Sequence, residues 1–152
     1  YFDQFLKYSR SQRRVCEDGR IIPWIDENQN PYTGDWISRT RLASWKDGGW
    51  SAEKGGVERG KDYNHSTYCD LLISGLVGIR PQTGDNVVVH PLVPAQAWEW
   101  FCLDGVSYQG RVLTVFYDRT GKRYGRGKGF FVLVDGEVRA QAARLQELRV
   151  SW

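Results

Sequence analysis

The residues best suited to chemistry lie between Ile21 and Trp36, in the stretch IIPWIDENQNPYTGDW. Trp24, Tyr32 and Trp36 stand there beside Asp26, Glu27 and Asp35. Flat aromatic rings next to carboxylates suit sugars, whose C–H faces stack on the rings while their hydroxyls donate to the acids. A structural reading competes. Asn30-Pro31-Tyr32-Thr33-Gly34 has the composition of a tight turn, and tryptophans often fill a core.

A second polar cluster, Asp62-Tyr63-Asn64-His65-Ser66, precedes the one strongly periodic helix of the chain. Asn64 and His65 can bond substrate hydroxyls, or Asp62 and Asn64 can cap the helix by accepting its first amides. His65 and Ser66 do not specify a nucleophile pair, because they are neighbours in sequence and no third acid orients them. The third group is basic. Arg119, Lys122, Arg123, Arg126 and Lys128 lie among Gly121, Gly125, Gly127 and Gly129 with no acid between them. A phosphate-binding loop would need G-x-x-x-x-G-K-[ST] leading into a helix, whereas this one leads into FFVLV, a strand. The expectation is a mobile basic hairpin loop. Single-stranded nucleic acid would require it to act together with Tyr108, Tyr117 and Tyr124.

Composition narrows the classes further. The chain has 152 residues, 41% apolar and 14% aromatic, with seven tryptophans, so it can build a real core. Its net charge is +3, and the five cations of the 119–128 loop more than account for it, so charge gives no general argument for nucleic acid. No apolar run approaches the ~20 residues that span a bilayer. Cys16, Cys69 and Cys102 are odd in number and set in apolar or aromatic contexts, which predicts buried free thiols. With His65 and His90 as the sole histidines, no zinc-ligand spacing arises, and no metal or organic cofactor is expected.

The elements that must position these groups follow from periodicity. Tyr1, Phe2, Phe5, Leu6 and Ser9 share one helical face, with Arg10, Arg13 and Arg14 toward the C-terminal end and Gly19 as a stop. That helix begins without a capping signal and the chain lacks methionine, so we expect a piece of a longer protein. Trp45–Lys61 is glycine-rich and reads as a disordered loop or a lid. The central helix carries Tyr68, Leu71, Leu72, Gly75, Leu76 and Ile79 on one face and ends at Gly78 and Pro81. Short β-rich segments then follow from Asn86 to Ala143, with Asp135-Gly136 as a hairpin turn and Asp104-Gly105 as a second candidate. Apolar residues on both faces of segments 112–118 and 130–134 predict covering on both sides.

W-x-D-E-N-x-x-P-x-T-G (from Trp24), then Y-N-H-S-T-x-C-D-L-x-I-S-G-L-V-G (from Tyr63) and a β-rich end, resemble the C-terminal part of bacterial (α/α)6-toroid glycoside hydrolases. The likeness is to the trehalase, family 63 and mannosylglycerate-hydrolase-like group, and it covers about residues 20–140. It implies inverting hydrolysis of α-linked glycosidic bonds, with Glu27 as general base and Trp24, Asp26, Trp36, Asn64 and His65 binding substrate. It also implies a general acid upstream, in toroid helices outside this chain, and export to the periplasm or medium. The expected partners are a carbohydrate substrate and those upstream helices, with neither nucleic acid nor membrane.

The expected fold is therefore α+β: N-terminal helices left from a toroid (residues 1–82), packed on a C-terminal antiparallel β-sandwich of roughly seven strands (83–152). The alternative function is a non-catalytic carbohydrate-binding or interaction module.

Overall fold

A computed structural model describes residues 1–15, 18–23, 25, 29–32, 34 and 67–152. The chain forms two compact units that divide between Ser66 and Thr67.

In the first unit, α1 (Phe2–Ser11) buries Phe5, carries Asp3 in its first turn and Arg10 in its last, and so complements its own dipole at both ends. It ends earlier than its periodicity predicts. Gln12 leaves the helical conformation, and the backbone of Arg13–Val15 becomes β1, which pairs antiparallel with β2 (Ile21–Pro23). Between them, Asp18 accepts the amide of Arg20 at 3.0 Å and its Nε at 2.6 Å, and Gly19 takes φ +81°. The predicted turn at residues 30–34 forms. Gly34 donates to Asn30 O at 2.8 Å, and Tyr32 N donates to the Asn30 side chain at 2.9 Å.

The second unit opens with α2, which is α-helical over Tyr68–Asp70 and π-helical over Leu71–Val77. The wider winding moves the buried stripe onto Leu76 and Val77, and leaves Leu71 exposed. Gly78 ends it in the left-handed conformation, donating to Ile73 O at 3.0 Å. Ile79, which the 3.6-residue period places on the helix, instead starts a strand.

Seven strands follow in two antiparallel sheets. One has the order β3 (Ile79–Pro81), β4 (Asn86–Val89), β9 (Leu148–Ser151); the other runs β5 (Trp100–Tyr108), β6 (Arg111–Asp118), β7 (Gly129–Val134), β8 (Glu137–Ala142). The α+β class and the sandwich-like C-terminal part are thus as the alternation predicts. Asp135-Gly136 is the β7–β8 turn, with φ of 51° and 82°. Asp104-Gly105 is not a turn. It is a bulge inside β5, where the register shifts between Leu103 and Val106 and Gly105 takes φ +71°. The actual β5–β6 turn is Gln109-Gly110, both at positive φ.

The period-2 pattern fixes the faces. Phe101, Leu113, Val115, Tyr117, Phe130, Val132 and Val134 are buried on one face of the four-stranded sheet. On the other sheet Ile79, Val87, Val89, Leu148 and Val150 are buried on a common face. Each such side chain contributes about 1.5–3 kcal/mol. β7 is buried at every position, as the apolar character of both its faces predicts. Phe130→Ala removes a fully buried ring from the centre of this core. Urea unfolding should show a loss of about 3–5 kcal/mol.

Tyr108 ties the sheets at one end. Its hydroxyl accepts from Gln82 N at 2.9 Å and donates to Asn86 O at 3.0 Å, while its ring meets Trp152 edge-on at 5.8 Å.

Candidate functional site

The six residues that the sequence marks for catalysis or sugar binding, Trp24, Asp26, Glu27, Trp36, Asn64 and His65, lie outside the described residues, as do Cys16 and the loop Trp45–Lys61. What the structure gives is the frame next to the first four of them. The 30–34 turn is fastened to α1: Lys7 Nζ donates to Pro31 O at 3.1 Å and to Tyr32 O at 3.0 Å. Gln29 Nε2 donates to Gly34 O at 3.2 Å and also to Ser11 Oγ. Five bonds that converge on one short turn order the backbone on the C-terminal side of Glu27.

In the second unit, the functional-looking surface is the face of the four-stranded sheet that points away from its buried face. Strand alternation brings Trp100, Cys102, Phe116 and Phe131 to it; Phe116 and Phe131 form a second buried cluster there with Leu133, and Trp100 and Cys102 stay exposed. Phe116 and Phe131 stack at 4.7 Å, and Tyr124 from the β6–β7 loop packs on Phe116 at 5.2 Å and meets Trp100 edge-on at 6.5 Å. The Arg123 guanidinium lies 4.2 Å over the Trp100 ring. Along the β5 edge a cleft of about 560 Å3 is lined by Leu72, Trp98, Glu99, Trp100 and Cys102 among others. Glu99 is neutralised by Arg119 at 2.5 Å.

The loop that carries these groups is not the mobile hairpin its glycines and charges suggest. Asp118 is buried, and its carboxylate accepts five hydrogen bonds. They come from the amides of Thr120 (3.1 Å), Gly121 (2.7 Å), Arg123 (2.6 Å) and Tyr124 (3.2 Å), and from the Thr120 hydroxyl (3.1 Å). The charge is therefore solvated by the loop backbone instead of water. Gly121 has no room for a side chain, since a Cβ there would come within 2.8 Å of Lys128 N. The sequence signal was present as Asp-x-Thr-Gly, a side chain placed to bond the amides just after it.

Burial acts to raise the Asp118 pKa, but the amides of Arg123, Gly121, Tyr124 and Thr120 outweigh it, so the carboxyl titrates below its ordinary value. The unfolded carboxyl ionises near 3.9. The stabilisation is therefore complete above that pH and is lost as pH falls through the lower folded value. Asp118→Ala should cost about 2–4 kcal/mol at pH 7, with a smaller difference from wild type at pH 2–3, read by urea unfolding at both pH values.

Cys69 and Cys102 are free, as expected, but exposed instead of buried. Partial desolvation of the Cys102 thiol, with the neighbouring Asp104, raises its pKa, which keeps it protonated and a poor nucleophile. Tyr108, Tyr117 and Tyr124 do not form a stacking platform. Tyr117 is buried in the core, Tyr108 is bound to Gln82 and Asn86, and Tyr124 packs on Phe116 on the opposite face. Among the described residues, no three of His, Cys, Asp and Glu converge as a metal site would require, and no helix is long and apolar enough to cross a membrane.

Known proteins resemble both the sandwich and the whole chain. Residues 79–138, which run from the start of β3 into β8, match the family described as glycosyl hydrolase family 65, C-terminal domain. A solved structure titled "Sialidase" superimposes with a TM-score of 0.74 at 38% identity, over 99% of this chain and 12% of that protein. The chain thus spans about an eighth of the protein it resembles. No curated protein matches it. These likenesses support a glycoside hydrolase C-terminal domain; the match is to family 65, not to the family 63 toroid group that the sequence motifs suggested.

Proposed function

We propose that this chain is the C-terminal part of a longer glycoside hydrolase, in which Glu27 serves as general base for inverting hydrolysis of α-linked glycosidic bonds. The observation that carries the reading is the match of residues 79–138 to a glycoside hydrolase C-terminal domain. It stands together with the order of Trp24, Asp26, Glu27, Pro31, Thr33 and Gly34 upstream of it. In this reading the first unit, up to Ser66, belongs to a helical toroid, and the strands from Ile79 to Ser151 form the appended sandwich.

The chemistry needs two carboxyl groups on opposite faces of the sugar. One protonates the leaving oxygen, and the other takes a proton from the attacking water. Asp26 and Glu27 cannot both serve, because an inverting pair stands ~6.5–9.5 Å apart to admit that water, and neighbouring residues do not bracket a sugar ring. Glu27 is the base, the acid comes from the upstream helices, and Trp24, Asp26, Trp36, Asn64 and His65 hold the substrate. The bonds that Lys7 and Gln29 make to the 30–34 turn support this assignment, since a base must be held to within a fraction of an ångström of its water.

A non-catalytic sugar-binding module is the second reading, favoured by Trp100, which is 47% exposed on the sandwich. Assay of a panel of α-glycosides separates the two. The full-length protein should turn over at least one of them and the 152-residue chain none, because a base without its acid leaves the departing oxygen unprotonated. No turnover by the full-length protein on any member would overturn the catalytic reading and favour the module.

A further inference from the structure

We infer that the β5 edge of the sandwich binds an anionic saccharide, with Trp98 and Trp100 packing against the sugar ring and Arg123 holding its carboxylate. The class of ligand rests on the glycosidase reading above, whereas the location and the charge rest on the second unit alone. The cleft, at about 560 Å3, falls within the ~300–1,000 Å3 of small-molecule sites. Two indoles two residues apart line it, Trp98 just before β5 and Trp100 at its first position, and Trp100 is 47% exposed.

Charge selects among sugars. The β6–β7 loop carries five cations, and the carboxylates beside it are already engaged: Glu99 by Arg119, Asp118 by the loop amides. Among the described residues Arg123 has no acidic partner, so the charge it holds at Trp100 is uncompensated. Arg123 is the cation placed on the ring itself, at 4.2 Å from Trp100. Its planar fork matches a carboxylate in two-point geometry, as an ammonium does not. Asp118 supplies preorganisation, because it holds the Arg123 and Tyr124 amides at 2.6 and 3.2 Å and the side chain leaves from a fixed backbone. A neutral sugar would use the indoles and waste the charge. A long polyanion would need a stacking track, and Tyr108 and Tyr117 are turned away from this face.

The test is an NMR titration of the 152-residue chain, observing the tryptophan indole N–H signals. The ligands are a disaccharide ending in glucuronate, the same disaccharide ending in glucose, and oligothymidine. The acidic disaccharide should shift the Trp98 and Trp100 signals and bind about tenfold more tightly than the neutral one, the gain expected of one charge-assisted pair. Arg123→Gln, which keeps the amide bonded to Asp118, should abolish that tenfold difference; Trp100→Ala should weaken both sugars. Equal binding of the two sugars, shifts confined to other tryptophans, no binding, or tighter and strongly salt-dependent binding of oligothymidine would each overturn the inference. Turnover by the full-length protein is read separately and depends on Glu27, so loss of this site leaves the glycosidase reading standing.

Discussion

Gly78→Ala should destabilise the second unit by about 3–5 kcal/mol, the largest loss expected for removing no interaction at all. Gly78 sits at φ +79°, which costs a residue with a side chain about 1 kcal/mol. The larger part is steric. A Cβ at this position would lie 1.8 Å from His90 O and 2.3 Å from His90 C, far inside contact distance, and both belong to backbone that cannot rotate aside. The backbone cannot simply retreat, because His90 N donates to Gly78 O and Leu92 N to Leu76 O, each at 2.9 Å. Relief requires breaking the seam between the end of α2 and the segment after β4. Gly105→Ala provides the comparison. Gly105 has a similar φ of +71° but nothing within 4 Å of its would-be Cβ, so it should lose only about 1 kcal/mol. Thermal unfolding of both variants, followed by circular dichroism, checks the contrast, and equal losses would place the whole effect in φ.

Glu27→Gln in the full-length protein should lower kcat about a thousand-fold with KM little changed. A glutamine is nearly the same shape and can still bond a hydroxyl, but it cannot accept a proton. General-base removal costs 10²–10⁴-fold, about 3–5 kcal/mol in the transition state. Binding by Trp24 and Trp36 would be untouched, which is why the effect belongs in kcat. Asp26→Asn should act mainly on KM. If instead Asp26→Asn carries the thousand-fold loss and Glu27→Gln does not, the base is Asp26.

Much of the sandwich could be read in the sequence because alternation and turn chemistry are local. Residues 112–118 and 130–134 are apolar on both faces, which marks them as covered strands, and Asp135-Gly136 has the residue types that tolerate two positive φ values in succession. Where the reading failed, a non-local contact decided. Asp104-Gly105 has turn chemistry, but Thr114 on the neighbouring strand takes the Asp104 carboxylate and the chain continues as a bulged strand. Gln109-Gly110 turns without a strong local signal because Arg111 and Val112 bond to Asp135 across the sheet. Ile79 fits a helical period, yet the approach of His90 to Gly78 ends the helix before it. The basic loop looked mobile because charge and glycine are visible in a sequence, whereas a buried carboxylate gathering four amides is a property of the folded chain. The proposed sugar-binding residues were legible only as types and spacing, and of their surroundings the structure describes the turn after Glu27 and its bonds to α1.

The configuration of the first product tests the central claim most directly. Proton NMR of the full-length protein acting on an α-glycoside should show the β-anomer forming first and converting to the α-anomer only by mutarotation, with the signal lost in Glu27→Gln. An α-anomer formed first, or a Glu27→Gln protein that turns over at the wild-type rate, would contradict the assignment of Glu27 as the base of an inverting glycoside hydrolase.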